Sequence, residues 1–270
     1  MKTLLILSLF SFLFNLHTNS QDFEVSPVLL NFTALPGDIQ QYEVRVKNHA
    51  STINSFKVEI TDYIIDVNGN KLIMPKNTTR NSCAGWLSVE PQVFELVPNS
   101  DGIFKVTISV PEGVMESRWC ELSVLSVKER TSFEADISMA ASIVLSGGII
   151  LKVYQTPKGL DDKKIVAKSI IEQESDLEGN RYLSVMIENT GVVITDCKIY
   201  IVAANIDNME EFNLEPVFLT MMPGTTRTIV MKIPRNVLLP GTYDLSVMVD
   251  YGKKFPLAGT RLKGNFIVLP

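Results

Sequence analysis

The sequence predicts a nearly all-β protein built as two β-sandwich domains in tandem. Three observations carry that prediction. Short runs alternate apolar and polar residues, turn chemistry recurs roughly every ten residues, and a strand pattern repeats at a shift of 123 positions (233 − 110). No stretch sustains the 3.6-residue periodicity of a helix.

Taken in order, the first 20 residues read as an export signal. Lys2 supplies a positive start, Leu4 to Leu16 form a largely apolar core, and Thr18-Asn19-Ser20 precede a cut near Gln21. That core is shorter than the roughly 20 apolar residues a membrane span needs, and no later segment approaches that length. The expectation is therefore an exported chain without a membrane span, periplasmic or at the cell surface.

The remaining chain has ample material for two domains, since 46% of all 270 residues are hydrophobic. Its formal charge is −5, or −5 − 1 = −6 once Lys2 is removed. A mildly acidic chain with no basic run is unsuited to phosphate backbones, so nucleic acid is excluded as a partner.

In the first half, "YEVRVKN" sets Tyr42, Val44 and Val46 on one face and charges on the other. "FKVEITDYIIDV" and "NKLIMP" flank Asn68-Gly69, a strong hairpin signal because both residues tolerate positive φ. Asp66 to Asn70 resembles part of a calcium loop, but it lacks the later Glu and sits between two alternating strands, which favours a plain turn. "SMAASIVLSGGIILKVY" reads as a strand interrupted by a bulge or bend at Gly147-Gly148. A Pro157-Lys158-Gly159 break and a charged run follow, placing the domains at about 22–156 and 160–270.

The repeat aligns "VPEGVMESRWCELSV" (Val110 to Val124) with "IPRNVLLPGTYDLSV" (Ile233 to Val247). Upstream, "VFELVPNSDGIFKVTISVP" and "VFLTMMPGTTRTIVMKIP" both read strand, turn, strand, Pro. Tyr243, just after Pro-Gly at a strand start, occupies the place of the tyrosine corner, so both domains are expected to be immunoglobulin-like sandwiches. The repeat equates Cys120 with Tyr243, pointing it inward, and Trp119 with Thr242, pointing it outward as a candidate partner contact. Cys83 and Cys120 form a candidate disulfide, the alternative being that Cys120 is a buried free thiol; Cys197 makes the count odd.

Catalysis has little to stand on. The mature chain keeps one histidine, His49, and no G-x-S-x-G, P-loop or dinucleotide fingerprint occurs. Three scattered cysteines lack metal spacing. The acidic clusters at Glu172 to Glu178 and Asp207 to Glu211 read as solvated turns. A non-enzymatic protein with no cofactor and no metal is expected.

The stretch "WLSVEPQVFELVPNSDGIFKVTISVP", with "IILKVYQTP" further on, resembles the first domain of PapD-like periplasmic pilus chaperones. The resemblance covers residues 23 to 157 loosely and the second domain in general style. It implies an exported protein that binds a surface or fimbrial subunit by β-strand addition at an edge near Ile143 to Val153. It puts Lys152 where the family anchors a client's carboxylate, with Ile149 and Leu151 beside it. The family pairs that lysine with an arginine on the first strand; here "DFEVSPVLLNF" has neither Arg nor Lys. The chain also resembles exported immunoglobulin-like modules that bind WxL-type surface proteins. The alternative function is a structural or carbohydrate-contacting accessory module of a surface assembly, with a glycan as ligand and Trp119 as its aromatic platform.

Overall fold

The computed structural model describes residues 22–128 and 144–269; the predicted export signal and Ile143 lie outside the described residues. Among the described residues there is no α-helix, and one short 3₁₀ turn spans Ala84–Trp86.

The first sandwich is built from β1 (Phe23–Ser26), β2 (Leu29–Phe32), β3 (Ile39–Asn48), β4 (Asn54–Ile65), β5 (Lys71–Met74), β6 (Leu87–Glu90), β7 (Val93–Leu96), β8 (Asp101–Ser109), β9 (Arg118–Lys128) and β10 (Val144–Gln155). One sheet runs β1-β3-β8-β6 and the other β2-β10-β9-β4, with β5 and β7 sharing the far edge of β4. Pro27, which has no N–H to donate, separates β1 from β2, and the two halves of that first segment join opposite sheets. The alternation read from sequence becomes burial: Val44, Val46, Phe56, Val58, Phe104, Val106, Leu122 and Val124 close the space between the sheets. Phe56 anchors it, in edge contact with Phe23 and stacked on Phe94.

The second sandwich comprises β11 (Ile165–Gln173), β12 (Arg181–Asn189), β13 (Thr195–Asn205), β14 (Glu211–Asn213), β15 (Val217–Met221), β16 (Thr226–Ile233), β17 (Gly241–Asp250), β18 (Ala258–Arg261) and β19 (Phe266–Val268). A three-stranded sheet β11-β12-β16 faces a sheet centred on β13 and β17. Tyr243 is fully buried and its hydroxyl donates to the Leu239 carbonyl at 2.9 Å, a tyrosine corner. The chain is thus all-β, two immunoglobulin-like sandwiches in tandem.

The repeat extends further than the matched letters. Strands β3, β4, β7, β8 and β9 have the same pairings as β12, β13, β15, β16 and β17. The equivalent strands β3 and β12 each end on a fully buried asparagine, Asn48 and Asn189. Asn48 Nδ2 donates to the Leu96 carbonyl at the end of β7, and Asn189 Nδ2 to the Met221 carbonyl at the end of β15, each at 3.0 Å. Each side-chain oxygen accepts from the N–H two residues on, at 3.0 Å. A side-chain amide suits this place, because it satisfies buried backbone groups where the ladder stops. The stretch from Trp86 to Pro111 therefore builds the frame.

Turns follow the sequence chemistry. Gly69 (φ 97°) sits in the β4–β5 hairpin, and Asp66 accepts from the N–H groups of Asn68 and Asn70 at 2.9 and 2.8 Å. Asp176 repeats the device, accepting from the N–H groups of Glu178 and Asn180. Hydrogen bonds from Asn180, then from Tyr182 and the backbone, hold its carboxyl down at about 2. Glu172 pairs with Arg181. These acidic positions are occupied by turn and ion-pair partners, and among the described residues no three His, Cys, Asp or Glu side chains converge as metal ligands.

Candidate partner-binding edge

Strand β10 is held along one side by β9, from Val144↔Lys128 to Gln155↔Arg118. The pairing slips between Leu145 and Gly147, the bulge that the glycine pair implies. Along its other side, β2 runs parallel to β10 only from Lys152↔Leu29 to Gln155↔Phe32. The Lys152 N–H donates to the Val28 carbonyl at 2.9 Å, and the Thr156 N–H to Phe32 at 3.0 Å, which seals this end.

Backbone groups on one side of a strand recur every second residue. The N–H and C=O of Ile150 and Gly148 therefore face the same way as those of Lys152, beyond the end of β2. Among the described residues no strand pairs with them. The open run is thus shorter than the 143–153 expected from sequence: β2 closes it from Lys152 onward. Apolar side chains flank it, with Ile150 45% exposed, Val28 52% and Leu29 41%.

The candidate side chains divide by strand face. Leu151 is fully buried in the first-domain core and Ile149 packs half-buried against it, so neither offers a free side chain to a partner, and their backbone groups face β9 rather than the open side. Lys152 is exposed on the opposite face. Its cross-strand neighbour Glu121 is buried and bound by Lys71, 2.8 Å away, and by the Thr61 hydroxyl. Among the described residues Lys152 has no ion-pair partner.

Trp119 requires a correction. It does point away from the first-domain core, opposite Cys120, but it is only 4% exposed. The second domain covers it: Trp119 packs with Tyr63 and Met222, flanked by Tyr154, Ile65 and Ile194. Its indole N–H donates to the Tyr63 carbonyl at 3.1 Å. The adjacent Ser117 ties the same junction, its N–H donating to Val192 at 2.8 Å and its hydroxyl accepting from the Ile194 N–H at 3.0 Å. A buried indole presents no face to a sugar. The sequence showed which way Trp119 points but not that the second sandwich returns over it.

Burial, with the neighbouring Tyr154, raises the Tyr63 hydroxyl well above its usual range, so it stays protonated. Sequence reasoning missed Asp62 altogether. This fully buried carboxylate accepts from the N–H groups of Thr78 and Thr79 at 2.9 and 3.0 Å and from the hydroxyls of Thr79 and Ser82 at 3.2 and 2.5 Å. It thereby fixes the loop leading to Cys83. An aspartate in an otherwise apolar strand end, with Thr-Thr and Ser in the following loop, was the available signal. Cys83 and Cys120 lie fully buried with their sulfurs 3.4 Å apart, and Cys197 stands alone in the second domain. His49 lies in a loop, 3.1 Å from Glu24.

No family model matches the sequence, and comparison with curated proteins finds none that matches. Solved structures do align. A chain of the chaperone–tip adhesin complex of CFA/I fimbriae biogenesis has a TM-score of 0.50 at 13% identity, over 89% of this chain and 98% of that one. The class 5 fimbriae chaperone CfaA has a TM-score of 0.49 at 13% identity, over 92% and 99%. A chain of the CsuC–CsuE chaperone–tip adhesion subunit pre-assembly complex from Acinetobacter baumannii has 0.47 at 10%, over 88% and 98%. At these identities the likeness is one of fold, and in fold this chain is similar, across most of its length, to the PapD-like pilus chaperones.

Proposed function

We propose that this is an exported, non-enzymatic interaction protein that chaperones or organises surface or fimbrial subunits by accepting a partner strand on β10. One observation carries the proposal: the run at Gly148 and Ile150 has unpaired backbone groups on one side, among the described residues, and ends abruptly where β2 begins. An incoming strand adds to such an edge through main-chain hydrogen bonds, and flanking side-chain contacts give selectivity. It meets β2 at Lys152, where an exposed ammonium, without an acidic partner among the described residues, suits a carboxylate on the incoming chain. A single lysine is a point charge, so the contact orients a carboxylate less strictly than a guanidinium fork. Export to a periplasm or cell surface is part of the proposal, because fimbrial chaperones meet their clients there.

Capture from the native envelope tests it. The unaltered protein is expected to retain a protein partner. Lys152→Gln is expected to weaken capture and Lys152→Glu to reduce it by at least about tenfold, since a charge-assisted contact becomes a repulsion. Ile150→Pro removes an N–H on the open side, leaving the β9 ladder its donors, and is expected to abolish capture. Recovery of no protein partner by the unaltered protein, or equal recovery by all three variants, contradicts the proposal.

A further inference from the structure

Two buried sulfurs lie behind the domain junction. A parallel bridge joins Ser82 to Trp119, and the Trp119 N–H donates to Asn81 at 2.9 Å, so the Cys83 and Cys120 backbones run about one strand spacing apart. Their side chains converge between the sheets, 3.4 Å from sulfur to sulfur. A disulfide needs about 2.05 Å, so closure asks for a relative shift of little more than 1 Å, within reach of small χ1 rotations. We infer that Cys83 and Cys120 form an intramolecular disulfide in the exported protein, leaving Cys197 as its free thiol.

The partners are held in register by groups independent of the sulfurs. Asp62 fixes the loop through Thr78, Thr79 and Ser82, and Ser82 Oγ in turn accepts from the Ala84 N–H at 3.0 Å. Across from it, Trp119 is pinned under Met222, which fixes the start of β9. Cys197 sits in the other sandwich core, so an alternative pairing would have to break both cores.

The reaction balances with a protein or small-molecule disulfide as oxidant. One cysteine thiolate attacks that disulfide, forming a mixed disulfide and releasing one thiolate. The second cysteine thiolate then attacks the mixed bond, forming Cys83–Cys120 and releasing the oxidant's other sulfur, so the oxidant leaves as a dithiol or two thiols. Burial and the neighbouring Cys83 thiol raise Cys120 well above the usual thiol range. Exchange therefore belongs to folding, before the core closes, and the completed bond is shielded afterwards.

The inference rests on export to an oxidising compartment, but its test does not depend on partner capture. The full chain is refolded with oxidised and reduced glutathione, denatured without reductant and alkylated. One modified cysteine, mapped to Cys197, is expected; three modified cysteines, or any bond to Cys197, overturns the inference. As a second readout, dithiothreitol present during refolding is expected to lower the melting temperature by about 10 °C. A Cys83→Ser/Cys120→Ser double variant is expected to be insensitive to it. An equal melting temperature of the unaltered protein with and without reductant also overturns the inference.

Discussion

Replacing Asp62 with alanine is expected to destabilise the first domain by about 3–5 kcal/mol, because it strips four donors of one buried acceptor. Two of those donors are backbone N–H groups of a loop that has no ladder to fall back on. Of the four, the Thr78 N–H also reaches the Pro75 carbonyl, at 3.3 Å, but the Thr79 N–H and the two hydroxyls rely on Asp62. Asparagine keeps the shape but turns an NH₂ group toward donors, so Asp62→Asn is expected to lose at least half as much. Urea unfolding measures both. A midpoint shift worth less than about 1 kcal/mol for the alanine variant would show that the loop is held by something else.

Trp119→Ala is the second large effect. The indole is nearly fully buried between the sandwiches, and its removal leaves a cavity lined by Tyr63 and Met222. The expected cost is about 3–5 kcal/mol, and it falls on the junction rather than on either core. Unfolding is expected to split into two transitions, and small-angle scattering to report a larger radius of gyration. Trp119→Phe keeps much of the contact but loses the donor to the Tyr63 carbonyl, and is expected to cost about 1–2 kcal/mol. An alanine variant with one transition and unchanged scattering would show that the two sandwiches stay together without this residue.

These two residues also mark what was legible in the sequence. Strand periodicity and the Pro-led repeat carried the fold, because each strand has one dry face and the letters record it. The tyrosine corner and the Asn68-Gly69 hairpin were legible for the same reason: each depends on residues near one another in the chain. Long-range partners were not. Asp62 takes its donors from a loop 16 to 20 residues away, and Trp119 takes its cover from the other domain. The paired asparagines, Asn48 and Asn189, meet carbonyls 48 and 32 residues on; nothing in an "Asn after a strand" tells a buried amide from a turn.

The candidate site was legible in part. The glycine pair announced the bulge in β10, and Lys152 lies on the exposed face of that strand. Sequence alone could not show that β2 would seal the strand from Lys152 onward, since parallel pairing between segments more than a hundred residues apart leaves no local trace. Alternation did put Ile149 and Leu151 on one face of the strand and Ile150 on the other.

Strand addition is tested most directly by amide hydrogen exchange of the protein alone and in the complex captured from the envelope. The account predicts slower exchange at Gly148 and Ile150 in the complex. The Lys152 and Thr156 amides, already bonded to the Val28 and Phe32 carbonyls, are predicted to stay unchanged. Unchanged exchange at Gly148 and Ile150, with protection elsewhere on the surface, would contradict it.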